Sequence, residues 1–356
     1  MTDPNDSASG AFPAPALQRP LWRRILPRIL YLLVFLVVLY LFFPTMVSFF
    51  SESHKLASVE WWWYALMAVF MSGTMVAAWE LNRIALLNVS WFLVGTSQLV
   101  SNALAKVIPG GVVAAGATLF QMLSVSGVPR QQVATALAAA AFISNLVLFS
   151  LPAVALFLAA LSAPIPEGLL PVAVAGAAMF IVMFAVAFAL VKYDKVLLSV
   201  GRLIERIGRW VTKRLDREWT STAEDWLERR NDVMEALGVR WFKALAAAVL
   251  NWLLEYLVLV TALYAIGAHP RPSLVLVAFA GSAVLGMIPI TPGGIGFVEF
   301  GLVGMLVAAG IPAPDATLAT LAYRLFQFWL PIPVGAVAYV LFKRRYGKPS
   351  DLPAKA

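Results

Sequence analysis

The chain has 356 residues, of which 61% are hydrophobic and 13% charged, and its net charge is +8. Because a water-soluble domain of this length does not carry so apolar a composition, the sequence predicts an all-α polytopic membrane protein. There is no cysteine and there are two histidines in separate loops, so we expect no disulfide, no metal and no cofactor.

The basic residues cluster at the ends of apolar runs. This distribution favours a role in setting membrane topology and contacting anionic lipid headgroups, and argues against a nucleic-acid partner. The sequence therefore indicates a multi-pass protein of a prokaryotic cytoplasmic membrane.

The N-terminal part begins with a polar tail over residues 1–20, which is predicted to be disordered. The first apolar run, over residues 25–50, is too long for the core of a signal peptide and is predicted to remain as a membrane helix. Four arginines lie before it or in its first four residues and place the N-terminus in the cytoplasm by the positive-inside rule: Arg19, Arg23, Arg24 and Arg28.

The rest of the chain continues as apolar runs between short polar loops. In order, these are a span from Trp61 to Arg83, a broken stretch over 84–126, spans over 131–161, 168–191 and 244–266, a second broken stretch over 274–310, and a last span over 314–342. On this path the basic clusters and both termini are cytoplasmic. We predict about six full transmembrane helices and two broken stretches in one membrane domain over 21–345, followed by a tail over 346–356.

The segment over 192–243 is the one long polar connector, and it holds 12 of the 27 lysines and arginines. Part of it has an amphipathic helical pattern, which predicts a helix lying on the cytoplasmic membrane surface. It is either a solvated connector that fixes topology or a docking element for a partner.

The two broken stretches contain the same helix-breaking residues at the same spacing. Pro109-Gly110-Gly111 is followed by Gly127-Val128-Pro129, and 183 positions later Pro292-Gly293-Gly294 is followed by Gly310-Ile311-Pro312. Eight of 21 aligned positions are identical without a gap. This spacing predicts two internal repeats, at about 61–191 and 244–342.

The arms of the second broken stretch are short for a membrane crossing. At 1.5 Å per residue, the helices over 274–289 and 297–309 reach about 24 and 20 Å, less than the roughly 30 Å hydrocarbon core. Re-entrant hairpins fit these lengths, and the charge topology makes the two repeats inverted. A tight turn between tilted helices is the alternative.

Three charged residues lie inside apolar segments, where an ionised group needs a partner. Glu299 and Arg324 are predicted to pair, and the Arg324 guanidinium is also suited to a lipid phosphate. For Glu255 we predict a local hydrogen bond with Asn251, one helical turn away.

A lipid-headgroup site is predicted around the two helix breaks, because glycines there permit close backbone approach and free amides attract anions. Lys106 is either a phosphate contact or a side chain that extends to the interface. The predicted headgroup-binding residues are Asn102, Lys106, Gly110, Gly111, Pro292, Gly293, Gly294, Glu299, Tyr323 and Arg324.

The segment Thr291-Pro292-Gly293-Gly294-Ile295-Gly296-Phe297-Val298-Glu299, with Gly310-Ile311-Pro312 and Tyr323-Arg324-Leu325, resembles the C-terminal signature of the lysylphosphatidylglycerol synthetase transmembrane, or flippase-like, family. The resemblance extends over about residues 25–345. It implies inverted repeats, re-entrant helices and the movement of modified polar lipids between leaflets. The Pro-Gly-Gly tip, Glu299 and Arg324 match the family pattern.

The first hairpin departs from that pattern, because many relatives carry an acidic and a basic residue after its Pro-Gly, whereas residues 112–117 are neutral here. The chain ends at Ala356, so we expect no soluble aminoacyltransferase domain within it.

Three functions remain open. The first is a translocase for an anionic or phosphate-bearing membrane lipid, phospholipid or lipid-linked glycan. The second is a noncatalytic membrane subunit that holds a lipid-modifying enzyme or an envelope-assembly complex. The third, a membrane-embedded lipid transferase, lacks support because no HExxH, GxSxG, cysteine nucleophile or metal-binding acidic pair is found. We therefore expect a protein that is not an enzyme.

Overall fold

The computed structural model describes residues 56, 59–87, 89–108, 111–162, 167–214, 227, 230–231, 238–287 and 291–347. Several features predicted from the sequence lie outside these residues, namely the tail over 1–20, the first span over 25–50, Pro109, Gly110 and residues 348–356.

The described part of the chain is helical and contains no strand. Its α-helices are α1 (Trp61–Leu86), α2 (Trp91–Val107), α3 (Gly111–Val125), α4 (Arg130–Ser162), α5 (Leu170–Lys192), α6 (Asp194–Arg214), α7 (Trp241–Ala265), α8 (Pro272–Gly286), α9 (Phe297–Ala308), α10 (Ala313–Arg324) and α11 (Pro331–Tyr346). Short 3₁₀ turns cover Gly238–Arg240 and Pro292–Gly294, and a π-helical segment, Leu325–Trp329, joins α10 to α11.

Four of the described helices are long and apolar enough to cross a membrane: α1, α4, α7 and the continuous run Ala313–Tyr346. A fifth crossing is counted if α5 and α6, which meet at a bend of 105°, form one span. The chain is therefore a multi-pass membrane protein. The count of six spans includes residues 25–50 and stays a prediction.

Both repeats have the same order of elements, a long helix, two short helices and a long helix. In the first predicted repeat, over 61–191, these are α1 to α4, followed by α5; in the second they are α7, α8, α9 and the run from α10 to α11. The packing between the repeats is reciprocal. The first long helices, α1 and α7, pack against each other, and the first short helix of each repeat packs against the last long helix of the other: α2 against α11, and α8 against α4. This reciprocal pattern is what a pseudo-two-fold relation between the repeats produces.

The apolar core forms two clusters that lie at opposite ends of the α1/α7 pair. One contains Met67 from the first half of α1 and Leu263 from the second half of α7, together with α8 and α9. The other contains Leu86 from the end of α1 and Ala244 from the start of α7, together with α2 and α3. The two long helices are therefore antiparallel, and each pair of short helices packs near a different end.

Some of the residues predicted to be cytoplasmic lie close together at one end of the described structure. The Arg83 guanidinium stacks on the Trp91 ring at 4.3 Å, and that of Arg345 stacks on the Phe92 ring at 4.9 Å. Gln132, near the start of α4, donates to the Leu86 carbonyl at 2.6 Å. The structure thus brings the ends of α1 and α11 close to the beginnings of α2 and α4.

The predicted amphipathic segment is helical over α6. Leu197 is buried in this helix whereas Leu203 is 54% exposed. Residues 215–226 lie outside the described residues, and the location of α6 on the membrane surface stays a prediction.

Candidate functional site

The second helix break is built around glycines with positive φ. Gly293, Gly294 and Gly296 have φ values of 56°, 72° and 81°, a region that side-chain-bearing residues rarely adopt. The Gly294 amide bonds to the Thr291 carbonyl at 3.1 Å, so it is used within the turn. The following helix begins at Phe297, the first residue of the arm predicted over 297–309.

This second tip packs directly against the first repeat. A Cβ atom added at Gly293 would lie 2.3 Å from the Phe328 ring and 3.1 Å from the Lys106 Cα. Lys106 is in the last turn of α2, just before the first helix break. The two breaks therefore approach each other, although Gly110 at the first tip lies outside the described residues.

The first break is also closely packed where the structure describes it. A Cβ atom added at Gly111 would lie 2.3 Å from the Ala105 carbonyl oxygen. The Ser101 hydroxyl donates to the Ala115 carbonyl at 2.8 Å and ties α2 to α3. The backbone approach predicted for Gly111 is thus made to the neighbouring helix.

The predicted Glu299–Arg324 ion pair is confirmed. Arg324 Nε donates to Glu299 Oε1 at 2.7 Å, and the two residues are 4% and 8% exposed. The other guanidinium nitrogens donate to Gln327 Oε1 at 2.9 Å and to the Gly293 carbonyl at 3.2 Å. Arg324 therefore holds the second tip, the restarted helix α9 and the π-helical segment together.

Glu255 does not make the local bond expected for it. Its carboxylate accepts a hydrogen bond from the Tyr323 hydroxyl at 2.9 Å, and among the described residues it has no hydrogen bond with Asn251. Lys106, Gln327 and Arg324 also interact with this carboxylate. The prediction was wrong because α10 packs against α7 and brings the Tyr323 hydroxyl to the Glu255 carboxylate.

Lys106 approaches Arg324 and Phe328 from the first repeat. Its Nζ lies 5.6 Å from the centre of the Phe328 ring, and the Arg324 guanidinium carbon lies 4.7 Å from the same centre. Both distances fall in the range of cation–π attraction. Lys106 is half-buried and forms no salt bridge within the described residues. It therefore points into the site and has no carboxylate directly bonded to it.

Other polar residues of α2 and α3 divide into different environments. Gln98 accepts a hydrogen bond from Asn82 of α1 at 2.9 Å, and Gln121 is exposed. Asn102 is half-buried on α2, one turn before Lys106, and among the described residues its side chain makes no hydrogen bond. Its role as a site residue stays a prediction.

The π-helical segment determines how the last span presents its polar residues. The Leu330 amide bonds to the Leu325 carbonyl five residues earlier at 2.9 Å, and Pro331 supplies no amide to restore the α-helical pattern. The wider turn carries Gln327 and Phe328, both of which contact Arg324. Single-turn π segments occur frequently at functional sites.

We define the tip cluster as Lys106, Glu255, Glu299, Tyr323, Arg324 and Gln327. Glu255, Tyr323 and Gln327 connect α7 with the last span, and Lys106 adds the first repeat. The cluster contains two cations and two carboxylates, and Glu299 Oε2 is buried without a hydrogen-bond partner. The arrangement has the chemistry of a binding site for a polar, ionic group; among the described residues no cluster suited to a metal ion is present.

Gln327 and Glu255 are the site residues that sequence reasoning missed or assigned otherwise. Gln327 follows Arg324 by three residues, which places both on one face of a helix, so this spacing was a usable signal. Glu255 offered no comparable signal, since its partner Tyr323 is 68 positions away.

The comparison with known proteins identifies the family. Residues 28–335 match the family described as the lysylphosphatidylglycerol synthase TM region. The chain belongs to this family. The match to the lysylphosphatidylglycerol synthase TM region includes both helix breaks and every residue of the tip cluster, so the resemblance noted in the sequence is confirmed.

Two matches to curated relatives are both described as UPF0104 membrane proteins of Methanothermobacter thermautotrophicus. One is 31% identical over 90 residues, which are 25% of this chain and 27% of the relative. The other is 26% identical over 180 residues, or 46% of this chain and 50% of the relative. The chain thus matches at most about half the length of these relatives. Together with the family match, they indicate a membrane protein with a lipid-related role.

Proposed function

We propose that this protein is a lipid translocase that moves a phospholipid or lipid-linked glycan between the leaflets of the cytoplasmic membrane. The observation that carries the proposal is the tip cluster, where four ionisable side chains meet within apolar helices at the contact between two helix breaks. Ionised groups at membrane depth are costly and commonly mark a transport pathway. The polar headgroup would enter this cluster while its acyl chains remain in the bilayer.

The proposed topology follows from the packing of the repeats. The two pairs of short helices lie near opposite ends of the antiparallel α1/α7 pair, which supports re-entrant hairpins entering from opposite sides of the membrane. Helix breaks with exposed backbone groups are tolerated at membrane depth where they line a cavity or are covered by protein. In this proposal both termini are cytoplasmic and the tips meet near the midplane.

The proposed roles of the residues follow from their contacts. Arg324 and Lys106 supply positive charge for a phosphate, and Tyr323 orients Glu255. Gly293 allows the second tip to approach α2 closely, Gly294 lies against Val298 and Gly286, and Glu299 holds Arg324 in place. The roles of Asn102, Gly110, Gly111 and Pro292 in headgroup binding remain part of the same proposal.

The proposal is tested by reconstituting the purified chain into liposomes that contain a trace of lipid with a fluorophore on one acyl chain. A membrane-impermeant reductant bleaches only the outer leaflet, so exchange appears as bleaching beyond the initial half. We expect exchange above that of empty liposomes, measured with and without an imposed proton gradient. Folded protein that exchanges neither phospholipid nor lipid-linked glycan under either condition would overturn the proposal.

The control variants are a double substitution, Glu299→Gln with Arg324→Gln, and Gly116→Ala. The double variant removes both buried charges and should lose exchange while remaining folded. Gly116 lies in α3 with nothing within 4 Å of an added Cβ atom, so Gly116→Ala should exchange lipid like the wild type.

A further inference from the structure

The tip cluster contains two positive and two negative side chains, but only one positive–negative pair among them forms a direct salt bridge. Arg324 and Glu299 form a direct, buried ion pair at 2.7 Å. Lys106 and Glu255 are both half-buried and interact electrostatically, yet in the described residues no salt bridge joins them. Lys106 and Glu255 are therefore an oppositely charged pair without a direct salt bridge, beside the directly bonded Glu299–Arg324 pair.

The balance of charge restricts what this pair can accept. A headgroup with only a phosphate would draw Lys106 and leave Glu255 uncompensated, giving the cluster a net negative charge at membrane depth. Such a charge is unfavourable in that environment. A headgroup that also carries an ammonium group leaves the cluster neutral, because it provides a cation for Glu255 when Lys106 turns to the phosphate.

Hydrogen-bond capacity gives an independent reason for an ammonium group. Glu299 Oε2 is buried and has no donor, although the residue is only 8% exposed. Each guanidinium nitrogen of Arg324 already donates one hydrogen bond, to Glu299 Oε1, Gln327 Oε1 and the Gly293 carbonyl. Glu299 Oε2 is therefore a buried acceptor that a ligand with N–H donors could satisfy.

We infer that the site selects a zwitterionic, net-neutral phospholipid headgroup, in which Lys106 binds the phosphate and Glu255 accepts N–H hydrogen bonds from a primary ammonium group. This inference rests on the proposed translocase function and specifies its substrate class. It distinguishes the ligand from an anionic phosphoglycerol and from a headgroup with net positive charge.

The test compares lipids with identical tails, a fluorophore on one acyl chain and an intact phosphoethanolamine, phosphocholine or phosphoglycerol headgroup. In wild-type protein we expect phosphoethanolamine to exchange at least tenfold faster than phosphoglycerol. Phosphocholine should be intermediate, because it is neutral but lacks N–H donors. Equal rates for phosphoethanolamine and phosphocholine would overturn the hydrogen-bonding role of Glu255.

Charge variants provide the decisive measurement, the ratio of phosphoethanolamine to phosphoglycerol exchange. Glu255→Gln gives the cluster a net positive charge and should lower this ratio at least tenfold, whereas Lys106→Gln should raise it. Glu80→Gln, an equivalent change at a residue paired with Arg83 outside the cluster, should leave it unchanged. A general loss of stability would slow all lipids and leave the ratio unaltered.

Binding of the same three lipids to the detergent-solubilised protein, measured by native mass spectrometry, separates the two hypotheses. Selective binding that is altered by Glu255→Gln, without exchange in liposomes, would support the headgroup assignment and overturn translocation. Exchange with no preference against phosphoglycerol, or with a ratio insensitive to Glu255→Gln, would overturn the headgroup assignment and leave translocation supported. Neither selective binding nor exchange would overturn both.

Discussion

At the scale of single residues, the Glu299–Arg324 pair combines strong geometry with a high cost of desolvation. Its two side chains are 11% and 5% exposed, and their contact is 2.7 Å long. The net stabilisation of such a pair is small because burial of both charges offsets their attraction. Removing one partner is different, since the remaining charge stays buried without compensation.

We therefore predict that Arg324→Met lowers the free energy of unfolding by about 3–5 kcal/mol. The double variant Arg324→Met with Glu299→Leu should regain most of that loss, because it removes both buried charges. The measurement is equilibrium unfolding of the purified protein in mixed micelles by sodium dodecyl sulfate.

Arg209→Met is the matched control for this prediction. Arg209 is 65% exposed in its salt bridge with Glu205 on α6, and exposed pairs contribute only about 0–1 kcal/mol. A double variant as unstable as the single one would show that packing, rather than uncompensated charge, accounts for the effect.

At the scale of the element, the second tip depends on a backbone that only glycine adopts readily. Gly293 has φ of 56°, and its position leaves no room for a Cβ atom between Phe328 and the backbone of Lys106. Loss of this fit would separate the second tip from α2 and displace the carbonyl that Arg324 binds.

Gly293→Ala should accordingly lower stability by at least about 1–2 kcal/mol, the usual cost of a left-handed conformation for a residue with a side chain. The contact with Phe328 adds to this cost. By comparison, Gly116→Ala lies within a helix and has free space, so it should be neutral or stabilising by about 0.5–1 kcal/mol. Equal stability of the two variants in the same unfolding measurement would contradict the structural role of the tip.

The elements themselves were largely predictable from the sequence, because helix length, apolar runs and the Pro-Gly-Gly breaks are local properties. The pair Glu299–Arg324 was also predictable, since two opposite charges in adjacent apolar segments need each other. The bond from Tyr323 to Glu255 and the π-helical turn were not, because they depend on how α7 packs against the last span. The start of α9 at Phe297 is set by the positive φ of Gly296 directly before it.

At the scale of the whole molecule, helix ends that lie together in the structure should face the same side of the membrane, and this can be tested. The ends of α1 and α11 lie beside the start of α2, as the contacts of Arg83 with Trp91 and of Arg345 with Phe92 show. In the proposed topology these residues face the cytoplasm, and the loop containing His269 faces the opposite side.

Single cysteines in this cysteine-free chain should report that topology. Arg344→Cys should react with an impermeant maleimide only after cells are permeabilised, whereas His269→Cys should react in intact cells. Both positions are exposed, so burial does not account for a difference. Equal labelling of the two positions in intact cells would contradict the proposed orientation.

The relative motion of the repeats is accessible through a second pair of positions. The ideal Cβ of Gly168, just before α5, lies 3.3 Å from the Cβ of Ala308, at the end of α9. This separation is close to the roughly 3.5–4.5 Å found between the Cβ atoms of a disulfide. The double variant Gly168→Cys with Ala308→Cys is therefore expected to form a cross-link between the first and second repeats under mild oxidation.

If translocation requires the second hairpin to move against the first repeat, this cross-link should abolish lipid exchange, and reduction should restore it. Because Glu299 is in the first turn of α9 and Ala308 is its last residue, the disulfide would fix the far end of this helix and leave the tip cluster unchanged. Each single-cysteine variant should exchange lipid equally well in both redox states. Complete cross-linking with undiminished exchange would instead show that the headgroup passes the tip cluster while these two segments remain fixed relative to each other.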